Sequence, residues 1–363
     1  MRIGIPKETL RHEHRVGLTP FGVSRLTSVG HQVFVGRDAG QDSHFSDADY
    51  VAAGATIVHD ADEVYGRSEL VCRVGSPAPD ELAILPPGCT VCGFLHLAVA
   101  PRDVVRRMID GRLTMIGYEL IEDGSGERPV LTPFSIIAGE MAIHIAASLL
   151  ECRSGGRGLI LGGVPGVPPA TVTILGAGTV GRTAARHALA SGAHVIVLDA
   201  DLSKLRAVLE STEHRAVTAL ATPRNLERFT SISDVVIGAV LIPGARAPYL
   251  VTEDMVREMK MGAVIVDLSI DQGGCVETSR PTSADNPTFR VHGVTHYCVP
   301  NMTASAPRSA SRALTIAATP YLARIAEEGL DAALDAGDGL ASGLYMREGR
   351  LVNQATAAAL GLE

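Results

Sequence analysis

The stretch Thr171-Val-Thr-Ile-Leu-Gly176-Ala-Gly178-Thr-Val-Gly181 leaves this chain few folds to adopt. Residues 172–175 are a β-branched run that reads as a buried strand. It leads into Gly-x-Gly-x-x-Gly, then a helical pattern over 179–191 that stops at Gly192, then a second strand over 194–198 ending in Asp199. Strand, glycine turn, helix, strand and acid in this order are the context that gives the glycine motif meaning. Gly176 permits the tight turn, Gly178 lets a pyrophosphate approach the backbone, and Gly181 lets helix and strand pack closely. The helix start presents unpaired N–H groups and a positive dipole end to the phosphates. Asp199 lies 18 residues beyond Gly181, near the roughly 20 expected of the acid that accepts the ribose hydroxyls. A carboxylate there repels a 2′-phosphate, so the sequence favours NAD over NADP.

At 363 residues the chain has room for two domains. Hydrophobic residues make up 46%, ample for two cores, and the net charge of −8 with no basic block argues against a nucleic-acid partner. Aromatic residues are only 4%, so a ligand pocket is expected to be built from aliphatic, glycine and polar groups. The start, Met1-Arg-Ile-Gly-Ile-Pro6, is strand-like and lacks the apolar region of a signal peptide. The most apolar stretch, 136–150, is interrupted by Glu140 and His144 and is too short for a bilayer span. A soluble cytoplasmic protein with no membrane partner is expected. Of the six cysteines, Cys89 and Cys92 form a lone C-x-x-C inside a strand-like run and the rest are scattered. Buried reduced thiols are expected, with no metal site.

Residues 1 to about 127 alternate strands and helices, with strands near 2–5, 31–35, 70–74, 90–95 and 114–118. The rhythm implies a mostly parallel sheet with helices on its faces. A polar, turn-rich segment over 122–129 marks a crossing to the second domain. A helix over about 135–152, apolar nearly all round, is expected to be buried. The second domain continues through strands near 234–240 and 263–267 and short strands around Gly293. From about Ala304 the pattern is helical to Glu328 and stays helical to the end, and this tail is expected to return to the first domain. The expected fold is α/β, two Rossmann-like domains with parallel sheets separated by a cleft. Residues 1–127 with 306–363 would be the substrate domain and 128–305 the NAD-binding domain.

Three candidates for chemistry sit just beyond predicted strand ends. His96 follows the strand over 90–95, and an imidazole titrates near neutral pH, which suits proton transfer. Asp271 lies in a glycine-flanked loop after the strand over 263–267. Arg15 lies in a charged loop between the first strand and first helix, and its fork of donors could clamp a carboxylate. From position alone each has a plain structural alternative: a core histidine, a turn carboxylate and a solvated surface arginine.

The motifs resemble the alanine dehydrogenase family, which also includes the dinucleotide-binding part of proton-translocating transhydrogenase. The resemblance runs from Met1 to about Gly349. It is carried by Arg2-Ile-Gly-Ile-Pro-Lys-Glu8, Arg15-Val with Thr19-Pro20, Phe94-Leu-His96-Leu, Gly162-Gly-Val-Pro-Gly166-Val, Gly176-Ala-Gly-Thr, Gly238-Ala-Val-Leu-Ile-Pro-Gly244, Asp267-Leu-Ser-Ile-Asp271-Gln-Gly-Gly274 and Tyr297-Cys-Val-Pro-Asn301-Met302. It implies that His96 transfers protons, that Asp271 steadies an imine or carbinolamine, and that Arg15 binds the substrate carboxylate. It also implies NAD contacts from Ser135, Gly176, Gly178, Gly181, Asp199, Lys204, Val240, Leu241, Leu268, Asp271, Val299, Asn301 and Met302, and a homohexamer.

One departure stands out. The family pattern Lys-Val-Lys-Glu-Pro is Arg73-Val74-Gly75-Ser76-Pro77 here, so a substrate-binding lysine is replaced by Gly75. Losing such a charge-assisted hydrogen bond costs about 1.5–3 kcal/mol. Arg73, on the same strand face, is the candidate replacement cation. The expected activity is NAD-dependent deamination of a small L-amino acid to a 2-oxo acid and ammonia, or its reverse, with alanine or, in view of Gly75, a longer or differently charged 2-amino acid as the substrate. A non-catalytic NAD sensor, a retired enzyme, or an opine-type enzyme joining an amine to a 2-oxo acid are the alternatives at this point.

Overall fold

The computed structural model describes residues 1–242 and 246–362, so the last two residues of the Gly238–Gly244 motif lie outside it. Fifteen strands occur among the described residues. In chain order they are β1 (Arg2–Ile5), β2 (Gln32–Gly36), β3 (Thr56–Val58), β4 (Leu70–Gly75), β5 (Thr90–Phe94), β6 (Thr114–Gly117), β7 (Thr171–Leu175), β8 (His194–Asp199), β9 (Val217–Leu220), β10 (Val235–Gly238), β11 (Val264–Asp267), β12 (Thr288–Val291), β13 (Val294–Tyr297), β14 (Leu344–Arg347) and β15 (Arg350–Leu351). They form two sheets, in two compact units.

The first unit holds residues 1–134 and 303–362. Its sheet runs β15-β14-β6-β5-β4-β1-β2-β3 and is parallel from β3 to β6. The tail differs from the helical expectation: β14 pairs antiparallel with β6 and with β15, and only Gln354–Leu360 is helical after them. The hairpin was hidden because Leu344, Tyr345 and Met346 form a run too short for periodicity to separate strand from helix.

The second unit holds residues 135–242 and 246–302, with sheet order β12-β13-β11-β10-β7-β8-β9 and only β12 antiparallel. Its strands are apolar on both faces because both faces are covered. Val172, Ile174, Val195, Val197, Val235, Ile237, Val264 and Val266 point into one core cluster. Leu175, Ile196, Leu198, Val236 and Ile265 alternate with them into the other. This period of two across four neighbouring strands fixes their register, since a slip by one residue would exchange the two faces.

The long helix is Thr132–Leu150. Contrary to the expectation of full burial, only a third of its apolar span is buried; Ala142, Ala146 and Leu150, spaced by four, carry its core stripe. By length and composition it is the one helix among the described residues apolar enough to cross a membrane. Cys72, Cys89, Cys92, Cys275 and Cys298 are buried free thiols and Cys152 is exposed. Burial pushes the Cys89 thiol up to about 12.

His296 on β13 shows what burial does to a titratable core residue. Its Nδ1–H donates to the Val294 carbonyl at 3.1 Å, so Nε2 accepts from the Thr278 hydroxyl at 2.8 Å, and the ring stacks on Phe289 at 4.9 Å. Burial lowers its pKa from 6.5 to about 4. Between those values the unfolded chain binds the proton that the folded chain refuses, so stability falls as pH drops through the window and levels off below it. The loss amounts to about 3 kcal/mol at 1.36 kcal/mol per unit. Denaturant unfolding of the wild type against His296→Phe across this pH range is expected to show a shallower acid loss in the variant; equal slopes would contradict the assignment.

Candidate active site

Each sheet reverses its strand order once, between β7 and β10 in the second unit and between β1 and β4 in the first. Such switch points open a crevice at the carboxyl ends of the strands, where ligands bind in open α/β sheets.

At the second unit's switch point the three glycines take different roles. Gly176 has φ +104°, and a Cβ there would lie 2.4 Å from the Ala239 carbonyl oxygen, which belongs to the loop after β10. A Cβ on Gly181 would lie 1.9 Å from the Gly176 oxygen. Gly178 is the reverse case: no atom among the described residues lies within 4 Å of its Cβ position, and it opens the helix Thr179–Ala190 without a side-chain cap. The first N–H groups of that helix therefore face an open cradle, which fits a pyrophosphate. Asp199 ends β8 beside this turn. One carboxylate oxygen accepts from Ala177 N at 2.7 Å and the other from Asp201 N at 2.9 Å.

At the neighbouring strand ends the Ser269 hydroxyl accepts from Val240 N at 3.0 Å, joining the loops after β10 and β11. The buried Asp267 carboxylate accepts from Ser269 N and Cys275 N, both at 3.1 Å, and shapes the turn Leu268–Gln272. Burial raises its pKa against the pull of these bonds. Asp271 accepts from Asn301 N at 2.9 Å and so fixes Asn301 in the left-handed region, φ +51°. Gly176, Gly178, Gly181, Asp199 and Val240 thus meet at one turn, and Leu268, Asp271 and Asn301 share the next strand ends. Leu241 is exposed, Val299 half-buried and Met302 buried. Ser135 stands in the first turns of the long helix, and Lys204 is exposed on the separate helix Leu202–Ser211.

In the first unit the loop after β1 carries Arg15. It is buried, not a solvated surface arginine: its Nε donates to Glu13 at 2.7 Å, Nη1 to the Thr303 hydroxyl at 2.8 Å, and Nη2 to the other Glu13 oxygen. Its guanidinium lies 5.6 Å from the centroid of Phe134. Phe134 packs edge-on to Phe94 at 4.7 Å, and Phe94 stacks with His96 at 6.4 Å. Aromatic rings therefore stand beside Arg15 and His96, which the low aromatic content of the chain did not suggest.

His96 directly follows β5 and adopts φ +46°, ψ 42°. The strain is held by Glu119, a residue with no motif around it in the sequence. Its Oε1 accepts His96 N at 2.6 Å and the Tyr345 hydroxyl at 2.8 Å, and its Oε2 accepts Leu95 N at 3.2 Å. The same Oε1 lies 3.9 Å from His96 Nδ1, and 23% of the histidine side chain is exposed. Burial raises the Tyr345 pKa, so its hydroxyl stays a donor. The signal available in the sequence was an acid just after a predicted strand; Tyr345 escaped with its unpredicted hairpin.

Arg73 is the second correction. Its side chain is fully buried: Nη1 donates to Tyr65 at 2.7 Å and Glu81 at 3.0 Å, and Nη2 to Glu8 at 3.0 Å. Two buried carboxylates hold the charge by Coulomb attraction, so it does not stand in for a substrate-binding cation. Glu8 also accepts Val74 N at 2.6 Å, and its pKa is raised because desolvation outweighs the pull of Arg73.

Fold and site define a two-unit, doubly wound α/β protein with a dinucleotide-type glycine turn in one unit and a positioned histidine in the other. Residues 4–138 match the family "Alanine dehydrogenase/PNT, N-terminal domain" and residues 142–354 its C-terminal domain counterpart. The chain is 45% identical over 363 residues to an alanine dehydrogenase of Halomonas elongata, covering 100% of this chain and 98% of that one. It is 45% identical over 362 residues to an alanine dehydrogenase of Mycobacterium tuberculosis, covering 100% and 97%. A solved L-alanine dehydrogenase superposes with a TM-score of 0.91 at 42% identity, covering 99% of each chain. The chain belongs to the alanine dehydrogenase/PNT family.

Glu119→Ala strips the acceptor from two backbone N–H groups and a tyrosine hydroxyl, at about 1–3 kcal/mol per buried orphan. Denaturant unfolding is expected to show a loss of about 3 kcal/mol or more, with Glu119→Gln recovering part of it. A loss below about 1 kcal/mol would remove Glu119 as the support of His96.

Proposed function

We propose that this amino-acid dehydrogenase oxidises a small L-amino acid at Cα with NAD, giving a 2-oxo acid and ammonia, and runs the reverse amination. The observation that carries the reading is His96, held left-handed by a buried carboxylate at the carboxyl edge of its sheet, on a chain that aligns with alanine dehydrogenases over its whole length. Non-catalytic NAD sensing gives no reason to maintain that strain.

NAD, when bound, supplies the acceptor for the hydride from Cα. The Gly176–Gly181 cradle and the helix start behind it suit its pyrophosphate, and Asp199 suits an unphosphorylated ribose. Ser135, Lys204, Val240, Leu241, Leu268, Val299, Asn301 and Met302 are proposed as further contacts. Arg15 pairs with the substrate carboxylate and shares its guanidinium with Glu13. His96 takes a proton from the water that adds to the substrate imine carbon and returns it to the departing nitrogen, so that the carbinolamine splits into 2-oxo acid and ammonia. The Asp271 carboxylate opposes the positive charge of imine and carbinolamine.

The chain is further proposed to act in the cytoplasm as a homo-oligomer, a hexamer by resemblance. Five buried free thiols suit a reducing compartment. Ile160, Val164 and Val167, at 63%, 49% and 56% exposure, put apolar side chains at the surface of one short loop, where a second copy would cover them.

NADH formation with a panel of L-amino acids is the test, and silence across the panel with NAD still bound would overturn the reading. Gly178→Ala adds a methyl where nothing stands in its way; it is expected to leave the fold intact and raise KM for NAD roughly ten-fold, and an unchanged KM would remove the cradle from the NAD site. Gly75→Lys restores a donor of about 1.5–3 kcal/mol. Alanine oxidation is expected to rise at least ten-fold, and no change would show that this position does not meet the substrate.

A further inference from the structure

β4 ends at Gly75, at the switch point of the first sheet. The space above it is open: among the described residues the one heavy atom within 4 Å of its Cβ position is Leu10 Cδ1, at 3.8 Å. Leu10 lies on the loop that carries Arg15, and 47% of it is exposed, so a large aliphatic side chain is turned toward space and not into a core. On the neighbouring strand Gly75 pairs in register with Phe94, past an irregularity in the ladder between Cys72 and Gly75. The Phe94 ring is the one that reaches His96 and Phe134. Arg15, Phe134 and Phe94 are thus joined by ring contacts, and the gap at Gly75, beside Leu10, opens at the end of the strand paired with that of Phe94. The loop is held in place by Gly17, where a Cβ would lie 2.4 Å from the Cys72 carbonyl oxygen of β4.

We infer that the space over Gly75 receives the substrate's side chain, and that the substrate is an L-2-amino acid with an aliphatic side chain of three or four carbons, leucine-like, in preference to alanine. This rests on the dehydrogenase reading above. A cation or carboxylate on the substrate side chain would enter a gap whose nearest neighbour is the aliphatic Leu10 side chain, and would lose water without gaining a partner. An aliphatic chain covers the exposed Leu10 and fills the void. Each methylene removed from water contributes about four-fold in binding, so leucine, with three more carbons than alanine, gains roughly fifty-fold. In the reverse direction the branched 2-oxo acid is preferred over pyruvate by a similar factor.

The experiment compares kcat/KM for NAD reduction with alanine, 2-aminobutyrate, norvaline and leucine in the wild type, Gly75→Val and Leu10→Asp. Gly75 is not in the left-handed region, and valine meets no atom closer than van der Waals contact at its Cβ; Leu10 is exposed, so both variants fold. The wild type is expected to gain about four-fold per methylene along the series. The leucine-to-alanine ratio is expected to fall at least ten-fold in Gly75→Val and at least five-fold in Leu10→Asp. Preference for alanine in the wild type, or a ratio that neither variant moves, overturns this inference and leaves the dehydrogenase reading standing. Failure to oxidise any amino acid while NAD still binds overturns both.

Discussion

The carboxylate of Glu119 keeps His96 where an L-residue does not settle by itself. A left-handed backbone costs about 1–2 kcal/mol. Against it stand bonds from Leu95 N, His96 N and the Tyr345 hydroxyl to one buried carboxylate. Bonds to a charged acceptor contribute about 1.5–3 kcal/mol each, so the acceptor wins comfortably. The imidazole then leaves β5 at a sharp angle, partly exposed, with its ring stacked on Phe94. Tyr345 comes from β14, so that strand helps to fix the histidine at position 96.

The two sheets use one topological device for two purposes. In the second unit the strands on either side of the reversal end in a glycine turn so tight that Gly176 touches the loop after β10, and the space left over is the cradle at Gly178. In the first unit the loop after β1 lies directly on β4 through Gly17, two residues beyond Arg15. Buried charge is then settled pair by pair: Arg15 with Glu13, Arg73 with Glu8 and Glu81. Arg73 divides its charge between two buried carboxylates, whereas Arg15 is bonded to the Glu13 carboxylate and the Thr303 hydroxyl, which is why the two have different prospects. Arg15 borders the aromatic cluster near His96, whereas Arg73 is enclosed by Glu8, Tyr65 and Glu81.

Much of this was legible in the residues. The strand, glycine turn, helix and acid from Thr171 to Asp199 stand as read, because each carries a local signature that tertiary packing does not override. The alternation of β-branched residues in β7, β8, β10 and β11 is a direct print of the two-sided core. The illegible parts depend on contacts distant in sequence. Glu119 needs partners at 95, 96 and 345, and nothing local to it announces them. Arg73 has the right strand face for substrate, but its partners Glu8 and Glu81 decide where its charge is spent. The β14–β15 hairpin is too short for its pattern to speak, and the aromatic cluster of Phe94 and Phe134 is invisible to a composition count. Gly75 was visible as a departure, yet only the structure shows what stands beside it.

The central claim is that this chain removes hydride from the α-carbon of an amino acid. L-leucine carrying deuterium at Cα, incubated with enzyme and NAD, tests it at the level of the transferred atom, with the NADH read by mass spectrometry. The account predicts one deuterium in NADH for every 2-oxo acid formed. Amino-acid consumption that leaves NADH unlabelled, or a 2-oxo acid that appears without NADH, would contradict it.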